Sequence, residues 1–374
     1  MKNTKRLYSL VILFALTVVG LSWIFSPSRE FSTQERRPLA QWPEFTWSDF
    51  ISGDYFADID SALADQFPAR NEFLSLKSTT QMLVGKADNG RVYFAQEDYL
   101  IEKNGELNLQ QLNNNVDILM RFHEEYQAEF EQASFILAPT VAGVAPELLP
   151  KNHLETDQAV TLANINDLTI ENGLIATKLI EALESRDYFR TDHHWTQTGA
   201  KEAFELWRAE SRFDEIAVDY EQLSISETFY GTTWAKGNST TISPDTVEAY
   251  LSEGLDHVEL YDIEENHIRN NIYNEDALGT SDVYEYFLGR NEGYLKIVTH
   301  AEAGEGDLLI FKDSYANAFI PFLVPYFETI TVIDLRYLAE PMSNIMAGED
   351  FTDLIYLYNI VTFSSESNIF KILQ

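Results

Sequence analysis

Two short runs in this chain, Ser134–Ala138 and Leu308–Phe311, are apolar almost throughout and end abruptly, the first at Pro139 and the second at Lys312-Asp313-Ser314. A strand of that kind has to be covered on both faces, which is the habit of parallel sheets sandwiched between helices. Tyr294–Thr299 and Ile330–Ile333 read as further strands. If the strands at 308 and 330 are parallel neighbours, a crossover of a dozen or so residues must join them, so a helix is expected between. Helical spacing recurs in Leu109, Leu112, Val116, Leu119, Phe122, Tyr126 and Phe130, predicting a helix over about 108–132, and again over 200–210. Leu174–Leu183 reads as a strand entering a helix, and Arg91–Phe94 with Tyr99–Ile101 as a hairpin. Strands alternating with helices predict an α/β fold with a mainly parallel sheet.

The N-terminus predicts a second environment. Lys2, Lys5 and Arg6 precede an uncharged run from Leu7 to Phe25, close to the ~20 residues that cross a bilayer. No small-residue cleavage site comes after it, and basic residues before the run keep the terminus in the cytoplasm. The expected organisation is a signal anchor over 1–28, an extended tether and helical lead-in over 29–90, and a catalytic domain over 91–374. The expected location is therefore extracytoplasmic, held by the anchor, or secreted if the anchor is cleaved.

Charge excludes several partners. Sixty acidic against twenty-six basic residues give a net −34, so the phosphate-binding stripe of a nucleic-acid protein is missing and strongly anionic polymers are repelled. With no cysteine, disulfides, thiolate metal sites and a cysteine nucleophile are all ruled out.

Chemistry concentrates in two places. Thr191-Asp192-His193-His194-Trp195-Thr196 packs a carboxylate and two imidazoles together. The Asp313-Ser314 turn lies at the carboxyl end of a buried strand, where open α/β sheets carry their sites. Hydroxyl, imidazole and carboxylate are the parts of an activated serine. In an extended or turn conformation residues i and i+2 share a side, so Asp192 and His194 can meet while His193 faces away. The alternatives are a helix cap at 313–314, a surface turn at 191–196, or a metal site. Adjacent histidines rarely serve one metal well, and no metal or cofactor is expected. Trp195 reads first as core packing and otherwise as a site-lining residue, and Thr196 as the cap of the next helix.

With these residues in view, the chain resembles the DHHW family of exported bacterial proteins. That family is similar to the SGNH-hydrolase-like domains of the alginate O-acetylation proteins AlgJ and AlgX. Phe67-Pro-Ala-Arg70, Leu137–Thr140, Gly231-Thr-Thr-Trp234, Pro244–Val247 and Val332–Tyr337 fit the same pattern. The resemblance implies a flavodoxin-like, three-layer SGNH fold and a Ser-His-Asp triad falling on Ser314, His194 and Asp192. Lys312 departs from the usual Gly-Asp-Ser, where glycine stands. The family's separate oxyanion donors have no obvious match. Asn317, Gly231 and the Ser314 N–H are the candidates, with Tyr315 also near the site. Arg336 is a candidate grip on substrate, or else a surface or capping arginine.

The expected activity is therefore extracytoplasmic O-acetyl transfer onto a cell-surface or secreted polysaccharide. Relatives imply a membrane-bound O-acyltransferase partner that supplies acetyl. A carbohydrate acetylesterase using the same three groups, or a non-catalytic polysaccharide-export scaffold, are the alternatives. The acidity favours a neutral or amino-sugar acceptor over alginate.

Overall fold

The computed structural model describes residues 2–252, 254–301 and 304–374, and divides the chain into two compact units: 1–86 with 234–241, and 87–233 with 242–374.

In the first unit, α1 (Lys2–Phe25) includes an 18-residue window, Arg6–Trp23, that is long and apolar enough to cross a membrane. Three more helices come after it: α2 (Trp47–Ser52), α3 (Asp54–Asp65) and α4 (Arg70–Leu83). Thr46 caps α2 by accepting from the Asp49 N–H, and Gly53, at φ 93°, separates α2 from α3. The segment expected as an extended tether is instead folded back and tied down. Phe31–Ser32 pairs with Arg37–Pro38, and the Arg37 guanidinium grips Asp65 through two bonds of 2.6 and 2.8 Å. Arg70 pairs with Glu35. The Arg37 fork, assisted by the Ala40 N–H, holds the Asp65 carboxyl down to about 2 despite its partial burial. Charge pairing, which leaves no apolar period, is what organises this stretch.

The second unit is built on an eight-stranded sheet: β1 (Gln132–Ala138), β2 (Ile175–Ala176), β3 (Glu259–Asp262), β4 (His267–Arg269), β5 (Tyr294–Val298), β6 (Asp307–Lys312), β7 (Thr329–Ile333) and β8 (Asp353–Asn359), in the order β4-β3-β5-β7-β6-β8-β1-β2. From β7 to β2 every pairing is parallel, while β5, β3 and β4 add an antiparallel edge. The fold class expected from the sequence holds.

Side-chain alternation sends successive strand residues to opposite cores. Ile136, Leu308, Ile310, Ile330 and Leu357 meet Phe204 and Trp207 of α7 (Gln197–Glu210) and Phe319 of α8 (Ala316–Leu323). On the other face Phe135, Leu309, Phe311 and Tyr356 meet Leu119 and Phe122 of α5 (Leu109–Tyr126), Leu162 of α6 (Gln158–Glu171), Met342 of α9 (Met342–Gly348) and Phe363 of α10 (Ile360–Ser365). The result is three layers, with α8 making the expected crossover between β6 and β7.

Two expectations are corrected. The helix starting at Leu109 ends at Tyr126, because the sequence from Gln132 is taken into the sheet, where Gln132 pairs with Asp353. After the two-residue β2 the chain turns rather than forming a helix, burying Leu179 and Leu183 within those turns.

Phe311 is fully buried, with ring centroids 5.5 Å from Phe122 and 5.6 Å from Tyr356. Phe311→Ala is expected to cost about 3–5 kcal/mol of stability, read as a fall in the urea midpoint tracked by near-UV circular dichroism. A shift corresponding to less than about 1 kcal/mol would contradict this two-sided core.

Candidate active site

Three elements converge at the carboxyl ends of β6 and β8. The first is the loop 190–196, a series of bends rather than a strand. Asp245, buried at the start of the hairpin strand Asp245–Leu251, anchors it by accepting from the Thr191 N–H (2.8 Å), the Thr191 hydroxyl (2.6 Å) and the Arg190 N–H (3.2 Å). Trp195 then bridges to Tyr188, and Thr196 caps α7 through the Gly199 N–H at 3.1 Å.

The second element is the Asp313-Ser314 turn. Asp313 is buried and accepts from the Asn359 N–H (2.8 Å) and the Tyr315 N–H (2.9 Å), tying the end of β6 to the end of β8, the third element. Burial pushes its carboxyl up, against those two N–H groups and Arg336. Neither Asp313 nor Ser314 caps α8.

Two crossed bonds join the loop to the turn. Trp195 Nε1–H donates to the Tyr315 carbonyl at 2.9 Å, and the Tyr315 hydroxyl donates to the His193 carbonyl. Between them His194 Nε2 lies 2.8 Å from Ser314 Oγ, and His194 Nδ1 lies 2.6 Å from Asp192 Oδ1. Asp192 also accepts from the His194 N–H (3.0 Å), and its second oxygen accepts from the Thr232 N–H (2.6 Å) and hydroxyl (3.0 Å). Tyr284 stacks on the His194 ring at 3.8 Å and 7°, and its hydroxyl donates to the Ser314 carbonyl at 3.1 Å.

Electrostatics fix the protonation pattern. Burial would raise the Asp192 carboxyl, but His193, His194 and the Thr232 N–H together hold it well below its usual range. Burial, then His193, pushes His194 down to about 4, against the upward pull of Asp192. The carboxylate is therefore charged and the imidazole neutral at neutral pH. Since Asp192 can only accept, Nδ1 carries the hydrogen and Nε2 accepts from the Ser314 hydroxyl. Such a relay can withdraw a proton from serine as it attacks a carbonyl.

Several expected site residues have their polar groups engaged within the protein. Trp195 is fully buried and Tyr315 nearly so, so both hold the framework rather than line a site. Gly231 N–H is bonded to Thr191 Oγ1 at 3.0 Å and is not available as an oxyanion donor. Its importance is space, because a Cβ there would run into the Asp192 carboxylate. Asn317 is buried and accepts from Lys312 Nζ at 2.7 Å. The Arg336 guanidinium pairs with Asp334 at 2.6 and 2.8 Å. Among the candidates, the Ser314 N–H alone has no partner within the described residues. Lys312 stands fully buried with Nζ 2.7 Å from both Asn291 and Asn317, its ammonium lowered to about 8 by burial against the pull of Asp334.

His193 does not face away as alternation predicts. Its ring sits 3.8 Å from that of His194, with Nδ1 2.7 Å from Thr232 Oγ1. Asp192, His193 and His194 bring ligand-type atoms within 4.8 Å of one another, but the carboxylate and Nδ1 of His194 are already bonded to each other. Tyr284, Thr232, Asp245 and Asn359 are functional neighbours that sequence reasoning does not single out. Gly231–Trp234 and Pro244–Val247 stand out in the sequence only as stretches fitting a family pattern.

The family model described as DHHW protein matches residues 174–333, and that of the SGNH hydrolase-like domain of the acetyltransferase AlgX matches residues 91–214. A DHHW family protein from Eubacterium siraeum superimposes with a TM-score of 0.60 at 24% identity, covering 74% of this chain and 91% of its own. Bacillus cereus PatB1 gives 0.60 at 19% identity, covering 74% and 97%. Its structure with a sulfonyl adduct gives 0.58 at 19%, covering 75% and 99%. Among curated proteins none matches. The resemblance expected from the two motifs therefore holds, and with it the SGNH-like fold.

The lowered His194 has a thermodynamic signature. Between the ordinary histidine value of ~6.5 and about 4, the unfolded chain binds a proton that the folded chain refuses. Stability therefore falls as pH falls through that window. His194→Gln removes this dependence, so the stability difference between wild type and variant should move by on the order of 1–3 kcal/mol against wild type from about pH 7 to pH 4.5, as read from urea midpoints. A difference independent of pH would contradict the buried neutral imidazole.

Proposed function

We propose that this protein, whose chain matches the SGNH hydrolase-like domain of the acetyltransferase AlgX over residues 91–214, is an extracytoplasmic O-acetyltransferase acting on a cell-surface or secreted polysaccharide. The observation that carries the reading is the unbroken chain Asp192–His194–Ser314, with links of 2.6 and 2.8 Å.

Ser314 Oγ attacks the acetyl carbonyl of a donor while His194 Nε2 takes its proton. Asp192 stabilises the imidazolium that forms. The tetrahedral oxyanion develops beside the Ser314 N–H, which is free to donate. Collapse expels the donor's leaving oxygen, which takes the proton from His194, and leaves acetyl esterified to Ser314. A sugar hydroxyl then attacks that ester. His194 removes its proton and returns it to Ser314 as the acetylated sugar departs. No coenzyme is required by these steps.

α1 supports the assignment of place. It is long and apolar enough to span a membrane, and the basic residues before it favour export of the chain beyond Phe25. A membrane-bound O-acyltransferase partner supplying acetyl completes the reading. The net charge of −34 favours a neutral or amino-sugar acceptor.

Mass spectrometry after incubation with an activated acetyl ester and a neutral oligosaccharide tests the proposal. Acetylated oligosaccharide is expected, with acetyl on Ser314 as intermediate, and Ser314→Ala should form neither. His194→Ala should be slower by about 10²–10⁴-fold. Free acetate without acetylated sugar would point to an acetylesterase and contradict transfer. Absence of both products would contradict an enzyme.

A further inference from the structure

The unit that contains α1 exposes an aromatic surface. Trp47 is 71% exposed, Ile51 81%, Phe56 53%, Phe45 51% and Phe50 41%. With Tyr55, the rings pack on one another at centroid distances of 5.3–5.9 Å (Phe45–Trp47, Phe45–Tyr55, Phe50–Phe56, Trp47–Phe50) rather than on a core, and α2 has no buried residue. A six-residue helix gains little stability from its own backbone bonds, so such a surface calls for something to cover it.

We infer that the α2–α3 surface lies in the lipid interface of the membrane that α1 enters. Three observations select lipid as the occupant. The stretch that carries the patch is tied to the span at both ends: Trp23, in the last turns of α1, packs on Trp42 at 6.4 Å and on Phe67 at 5.5 Å. That contact holds the chain on either side of α2 and α3 beside the outer end of α1. The residue types are those of the membrane–water boundary, where Trp and Tyr concentrate at headgroup level. The face also carries no basic cluster, and Asp49 and Asp54 flank it. Apolar area rather than attraction to anionic lipid therefore drives the contact, and zwitterionic lipid suffices.

The chain has no cysteine, so a single introduced thiol reports one position. The full chain in phosphatidylcholine nanodiscs would carry a nitroxide at Ile51→Cys, with Trp47→Cys as a second site and Glu129→Cys, exposed beyond the end of α5, as a reference. The labels at 51 and 47 are expected to collide severalfold more with oxygen and severalfold less with a water-soluble nickel chelate than the label at 129. Equal chelate access at all three positions would overturn it. So would shielding from both reagents at 51 and 47, which is the mark of a protein partner or a second copy.

Discussion

The Asp192 carboxylate is 2% exposed, and a charge taken out of water survives only if donors replace the solvent. Four do so here: the His194 N–H and ring, and the Thr232 N–H and hydroxyl. Satisfying that one ion bends residues 190–196 back on themselves and brings the 231–232 turn against them. It also leaves the far nitrogen of His194 as an acceptor. Gly231 answers the same demand, since any side chain there would take the space of the carboxylate.

The sheet supplies the other half. Parallel strands covered on both faces end together, so β6 and β8 deliver Asp313, Ser314 and Asn359 to one edge. Asp313 spends both oxygens on backbone N–H groups of that edge, which fixes the serine turn without touching the imidazole. Trp195 donates to the Tyr315 carbonyl, and the Tyr315 hydroxyl donates to the His193 carbonyl, so both side chains bond across the gap between loop and turn. Their burial is the reason a 120-residue separation between His194 and Ser314 closes to hydrogen-bond distance.

Much of this is legible in the sequence because the strands at 134, 308 and 330 announce themselves by composition, and because the DHHW and Asp-Ser motifs are local. Asp353–Asn359 is as readable as the others, being apolar through Leu354–Tyr358, yet it is missing from the expected strands although it lies between β6 and β1. Other misses have a physical cause. Tyr284 reaches His194 from a 3₁₀ turn with no periodic pattern, and Asp245 acts from a hairpin far along the chain. Trp195, Tyr315, Asn317 and Arg336 are near the chemistry by position, but sequence does not tell which polar atoms are already engaged. Lys312, a departure from the glycine of the usual motif, bonds two amides, the buried Asn317 and the half-buried Asn291, partners that only the fold brings to it.

All of these interactions serve one geometric claim: a neutral imidazole at 194 accepts the hydroxyl hydrogen of residue 314. Reaction with a sulfonyl fluoride, with peptide mapping of the product, tests it most directly. A single adduct is expected on Ser314, lost in His194→Gln while the variant remains folded. An adduct on another residue, or labelling of Ser314 at an undiminished rate in His194→Gln, would contradict it.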